Sequence, residues 1–177
     1  MPRVPLAGFE PALQQRLEAL WGKPVNLYCA LGNAPALVAA WTEFAHAIRA
    51  DSKTPRKLRE LMILRGAQQA NSEYEWAQHL RMARNAGVSE AQIAALGRWR
   101  DSGVFDARER AALALCEAVT AGRVGDAVYD EAMRHFSHAE YVELSLVAAF
   151  YAMVARMLDA MAVPLDDDVT GHSPRLP

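Results

Sequence analysis

The stretch 54–87, TPRKLRELMILRGAQQANSEYEWAQHLRMARNAG, decides how this chain is read. Pro55 suits the first turn of a helix, with Thr54 before it as a cap. Through Leu58, Leu61, Met62, Ile63, Leu64 and Ala67 that helix is apolar almost all round, the mark of a buried element. Glu60 sits inside it, and a carboxylate there needs a partner. Ala70-Asn71-Ser72 makes a junction, and a second helix follows until Gly87 stops it. On that second helix Ser72, Glu75 and His79 follow at i, i+3 and i+7. At about 100° per residue they lie within roughly 60° of one another. Glu75 and His79 form an i, i+4 pair within hydrogen-bonding reach. Glu60, Glu75 and His79 are therefore the candidate acid/base group. The plain structural alternatives are a surface Glu75–His79 pair and a buried Glu60 that only fixes helix packing.

The same punctuation accounts for the rest of the chain. Toward the N-terminus, 2–10 reads as an irregular arm, 11–21 as a short helix opened by Pro11, and 26–34 as ambiguous. A helix over 35–50 carries Trp41, Phe44, Ala45 and Ile48 on one stripe, with His46 off it. Toward the C-terminus, Ser89-x-x-Gln92, Asp106-x-x-Glu109 and Ser137-x-x-Glu140 are capping boxes. They open helices to about Trp99, to about Ala121 and along the apolar run 142–163, with a further helical piece over 129–135. No strand pattern appears, so the fold class is all-α. The chain reads as one domain over 1–177, with a flexible tail over 165–177.

Composition narrows the function classes. At 177 residues, 52% hydrophobic and 23% charged, the chain can bury a substantial core. A net charge of −2 gives no bulk attraction to nucleic acid or to an anionic membrane. Cys29 and Cys116 stand alone, with neither a CxxC nor a zinc spacing, and a reducing cytoplasm is the expected location. The run 142–163 is interrupted by Glu143, Arg156 and Asp159, so it reads as a core helix packed within the chain or against another subunit. The E-x-x-H spacing of di-iron bundles and the HExxH of zinc proteases are absent, so no metal is expected.

The run LRELMILRGAQQANSEYEWAQHLRMARNAGVSEAQIAAL resembles the carboxymuconolactone decarboxylase and alkylhydroperoxidase D-like family. The likeness continues through ERAALALCEAVTAG and HAEYVELSLVAAFYAMVARMLDAMAV and spans 34–164. It implies a helical-bundle subunit that assembles into trimers or hexamers, with a pocket beside the two central helices. In the family's peroxidase branch a glutamate is followed by a CxxC and a histidine. Glu60 and His79 match the outer positions, while Ser72 and Glu75 stand in place of the thiols and Tyr74 in place of the histidine between them. The peroxiredoxin activity attached to the family as a label needs an attacking and a resolving thiolate, and these residues supply neither. The cysteine-less decarboxylase branch fits better. It implies a cofactor-free lyase acting on a small carboxylate or lactone, with Glu60, Glu75 and His79 catalytic. Arg65, Ser72, Tyr74 and Trp76 are then the candidate substrate contacts, with Arg65, Arg81 or Arg84 to hold a carboxylate. The alternative is a non-catalytic oligomeric binding or stress-response protein on the same fold.

Overall fold

A computed structural model describes residues 1–169, and every regular element among them is helical. The chain forms two compact units. The first takes residues 1–52 and 157–169; the second takes 53–156.

In the first unit, α1 (Pro11–Trp21), α2 (Asn26–Leu31) and α3 (Pro35–Ala50) gather around buried Leu17, Tyr28 and Val38. The stretch left ambiguous by its sequence is thus helical over six residues, Asn26–Leu31. Its N-terminus is held by tertiary structure: Asn26 N–H donates to Asp166 Oδ1 at 2.8 Å, and Asp166 is buried. The rest of the expected tail, 170–177, lies outside the described residues. On α3 the buried face runs through Val38, Thr42, Ala45 and Ile48. Phe44, expected on the stripe, is 46% exposed, because the burial axis is displaced toward Val38 and Thr42. His46, off the apolar stripe, packs its ring edge-on to Trp21 at 6.3 Å.

The second unit is built on α4 (Arg56–Gln69) and α5 (Glu73–Asn85). Pro55 is the cap position of α4 and Thr54 makes no side-chain cap. Instead, Lys53 and Thr54 turn their backbone N–H groups onto the Glu143 carboxylate at 2.8–2.9 Å. The junction of the two helices is economical. Asn71 adopts φ 50°, a left-handed conformation that Asn tolerates. Asn71 N–H then bonds Gln68 O, and Ser72 N–H bonds Ala67 O, closing α4. Ser72 at once caps α5, its Oγ accepting from Glu75 N–H. Gly87, at φ 90°, ends α5 by the same pattern, with Gly87 N–H on Arg84 O and Val88 N–H on Ala83 O.

The α6 helix (Glu90–Ala95) opens on the Ser89/Gln92 capping box, then tightens into a 3-10 helix over Leu96–Asp101. The Asp106/Glu109 box opens α7 (Ala107–Thr120). The α8 helix (Asp126–His135) begins three residues before the expected piece, from an extended Gly125. The long α9 (His138–Met161) carries the Ser137/Glu140 pairing at its start. By length and composition α9 qualifies as a membrane span, yet half of that window is buried in the protein. Leu144, Val147, Ala148, Tyr151 and Val154 are among its buried residues, as in a core helix. Two apolar clusters fill this unit. Leu61, Leu64, Trp76, Leu96, Trp99 and Leu113 form one, and Leu58, Met62, Leu115, Phe136 and Leu144 belong to the other.

Candidate active site

The middle of α4, Leu58 to Leu64, is buried on every side, including Glu60, which is 0% exposed. The short junction folds α5 back antiparallel to α4, so Glu60 meets His79 and Arg56 meets Met82. His79 Nδ1 lies 2.8 Å from Glu60 Oε2. The other carboxylate oxygen, Oε1, accepts from Arg56 Nε at 2.7 Å. On the far side of the ring, His79 Nε2 lies 3.7 Å from Glu75 Oε2, beyond a direct hydrogen bond. The Tyr151 ring of α9 stands edge-on to the imidazole, centroids 4.8 Å apart and planes at 85°. His79 and Glu75 are 1% and 3% exposed.

These contacts fix the chemistry of each group. Burial alone would push the Glu60 carboxyl up, but the charge and hydrogen bond of His79, joined by Arg56, hold it below its usual range. Glu60 is therefore a carboxylate and acts as the acceptor. The proton in the 2.8 Å contact belongs to His79 Nδ1, which leaves Nε2 turned toward Glu75. The line Arg56–Glu60–His79–Glu75 thus alternates donor and acceptor groups, with one 3.7 Å gap at its end.

The other candidate residues are placed differently. Arg65 reaches α7, where its Nε donates to Glu117 at 2.7 Å. Glu117 also accepts from Trp99 Nε1 at 2.8 Å and pairs with Arg100 at 2.5 Å. Ser72 stays on the face of Glu75 and His79, but as the cap of their helix. Trp76 fills the apolar cluster with Leu61 and Leu64, and Tyr74 is buried. Arg81 is exposed, and Arg84 pairs with Glu90 at 2.6 Å. Two members of the cluster were not singled out from the sequence. Arg56 stands four residues before Glu60, a spacing that could have revealed it. Tyr151 comes from a distant helix and carries no local signal. Among the described residues no three His, Cys, Asp or Glu side chains group as a metal site.

The model of the carboxymuconolactone decarboxylase family matches residues 35–118. An uncharacterized protein of Bacillus subtilis (strain 168), YdfG, is 31% identical over 99 residues, covering 54% of this chain and 67% of that protein. Among solved structures, an uncharacterized peroxidase-related protein with an alkylhydroperoxidase AhpD core, from Ralstonia eutropha JMP134, superposes with a TM-score of 0.81 at 17% identity. It covers 95% of this chain and 94% of that one. A cysteine-to-alanine variant of the debrominase Bmp8, in complex with 2,3,4-tribromopyrrole, superposes with a TM-score of 0.77 at 20% identity, covering 92% and 91%. At such identities these structures speak for the fold. The chain belongs to the carboxymuconolactone decarboxylase family.

Proposed function

We propose that this protein is a cofactor-free acid/base enzyme that removes CO2 from a small carboxylated lactone or related carboxylate. The observation that carries the reading is the polarised imidazole. Glu60 holds Nδ1–H at 2.8 Å, and Nε2 faces Glu75 at 3.7 Å, a separation that a small shift of the Glu75 side chain closes for proton transfer. As the carbon–carbon bond to the carboxylate breaks, its electron pair moves onto the conjugated lactone carbonyl. The resulting enolate takes a proton on carbon from protonated His79 Nε2, and the ring regains a proton from solvent by way of Glu75, so that one proton is consumed for each CO2 released. Arg56 stabilises Glu60 as an anion and so keeps the ring oriented. Thiol peroxidase chemistry has no place in this scheme, since Ser72 and Glu75 occupy the positions where the peroxidase branch carries sulfur. The homo-oligomer, a trimer or hexamer, belongs to the same proposal. Val142, Leu146 and Met153 leave an exposed apolar stripe on α9 for a second copy to cover.

A second reading has its own observation. The three side chains are 0%, 3% and 1% exposed, a closure that suits a buried polar staple fixing α4 on α5 in a non-catalytic binding protein. CO2 release from a panel of small lactone carboxylates separates the two. On the enzyme reading, the wild type turns over a member of the panel. His79→Gln then loses about 10²–10⁴-fold in kcat while keeping its helical circular dichroism. Absence of turnover across the panel, or turnover unchanged by His79→Gln, sinks the enzyme reading.

A further inference from the structure

His79 is held unequally at its two nitrogens. Nδ1 lies 2.8 Å from Glu60 Oε2, a full hydrogen bond, whereas Nε2 lies 3.7 Å from Glu75 Oε2, beyond one. One bond at one edge fixes a point on the ring and leaves its plane to turn. The torsion that sets the plane joins a tetrahedral to a trigonal carbon, and torsions of that kind have broad wells. Another contact must therefore hold the direction of Nε2, the atom that carries the proton in the proposed reaction. Tyr151 of α9 makes it. The two ring centroids are 4.8 Å apart with planes at 85°, within the separations of about 4.5–7 Å at which edge-to-face aromatic pairs are favourable. Tyr151 is itself fixed: it is 5% exposed, and Phe150 stands edge-on to it at 5.3 Å and 86°. Val147, Ala148, Val154 and Ala155 of the same helix are buried as well. The phenolic end interacts electrostatically with the buried Arg59 guanidinium of α4, which gives the hydroxyl a neighbour of its own.

We infer that Tyr151 is a positioning residue of this site: its ring, not its hydroxyl, holds the imidazole plane so that Nε2 keeps its direction toward Glu75. The inference rests on the acid/base reading of His79. Tyr151 acts through the ring of another residue and needs no contact with substrate. Its loss therefore lowers kcat and leaves KM in place. The competing role is that of a second acid, since a tyrosine hydroxyl can also move a proton. Removing the oxygen alone separates the two roles, because Phe keeps the ring and loses the donor.

Tyr151→Phe and Tyr151→Leu are compared with the wild type in the full chain, by NMR relaxation of the aromatic C–H groups and by CO2 release from the panel of lactone carboxylates. In the wild type and in Tyr151→Phe the His79 ring should be as ordered as the buried Trp76 ring, with kcat the same within about twofold. In Tyr151→Leu the His79 ring loosens while the Trp76 and Trp99 rings keep their order. There kcat falls about 2–10-fold at constant KM, the worth of one aromatic pair. Tyr151→Met, unbranched and adaptable, replaces Tyr151→Leu if that variant does not fold. The wild type also reports by itself: a His79 ring as mobile as that of exposed His138 overturns the inference. So do unchanged ring order or unchanged kcat in the ringless variants, loss of ring order or of activity in Tyr151→Phe, and a fall in activity carried by KM alone. Turnover absent from the wild type overturns the enzyme reading and the part of Tyr151 in it together. Turnover present, with His79 ring order unchanged in Tyr151→Leu, overturns the positioning role alone.

Discussion

Replacing Glu60 tests the cluster most directly. The carboxylate is 0% exposed and holds both His79 Nδ1 and Arg56. In Glu60→Ala the His79 N–H is left in a site 1% exposed, and an orphaned buried donor costs about 1–3 kcal/mol. The lost charge-assisted bond adds about 1.5–3 kcal/mol. Arg56 adds little, because a third of its side chain is already in water and can turn outward. The total, about 3–5 kcal/mol, matches the usual effect of breaking a buried pair by removing one partner. Glu60→Gln keeps the shape and one acceptor, so about 1–3 kcal/mol is expected. The assay is urea unfolding of both variants with the slope checked for constancy. Acid adds a second readout. The folded Glu60 carboxyl lies below its ordinary value of 4.5. Its contribution is therefore complete above that value and is lost as pH falls through the lower folded one. The stability gap between wild type and Glu60→Gln should accordingly narrow on acidification. A loss below about 1 kcal/mol in Glu60→Ala, or a gap indifferent to acid, would refute the argument.

Two further outcomes follow from the same contacts. Burial pushes the Cys116 thiol up to about 12, and burial followed by the nearby Asp166 charge raises Cys29. Iodoacetamide at neutral pH should label Cys116 only after denaturation, and organic hydroperoxide should not be turned over with dithiols. Mass spectrometry and a coupled peroxidase assay check both. Glu117→Ala, which leaves the Trp99 indole N–H without its acceptor and Arg65 with Gln68 alone of its two acceptors, should lose about 1–3 kcal/mol in urea unfolding. A loss within about 0.5 kcal/mol, the range of ordinary surface changes, would show that the Glu117 contacts are dispensable.

The sequence by itself determined the helical class and most helix boundaries, because caps are local chemistry. Ser89 with Gln92, Asp106 with Glu109, and Gly87 each satisfy backbone groups within a few residues. It also determined that Glu75 and His79 share a face and that Glu60 points inward, since helical periodicity and an all-round apolar helix encode both. Periodicity gives a direction around one helix but not the neighbour found in that direction. Packing alone decided that Arg65 serves Glu117 and that Trp76 enters the apolar core. It also decided that Tyr151 closes over His79, and that Nδ1 rather than Nε2 faces the inner carboxylate. Each of these depends on the register of one helix against another, which is set by the fit of many side chains at once and is written in no single stretch of the chain.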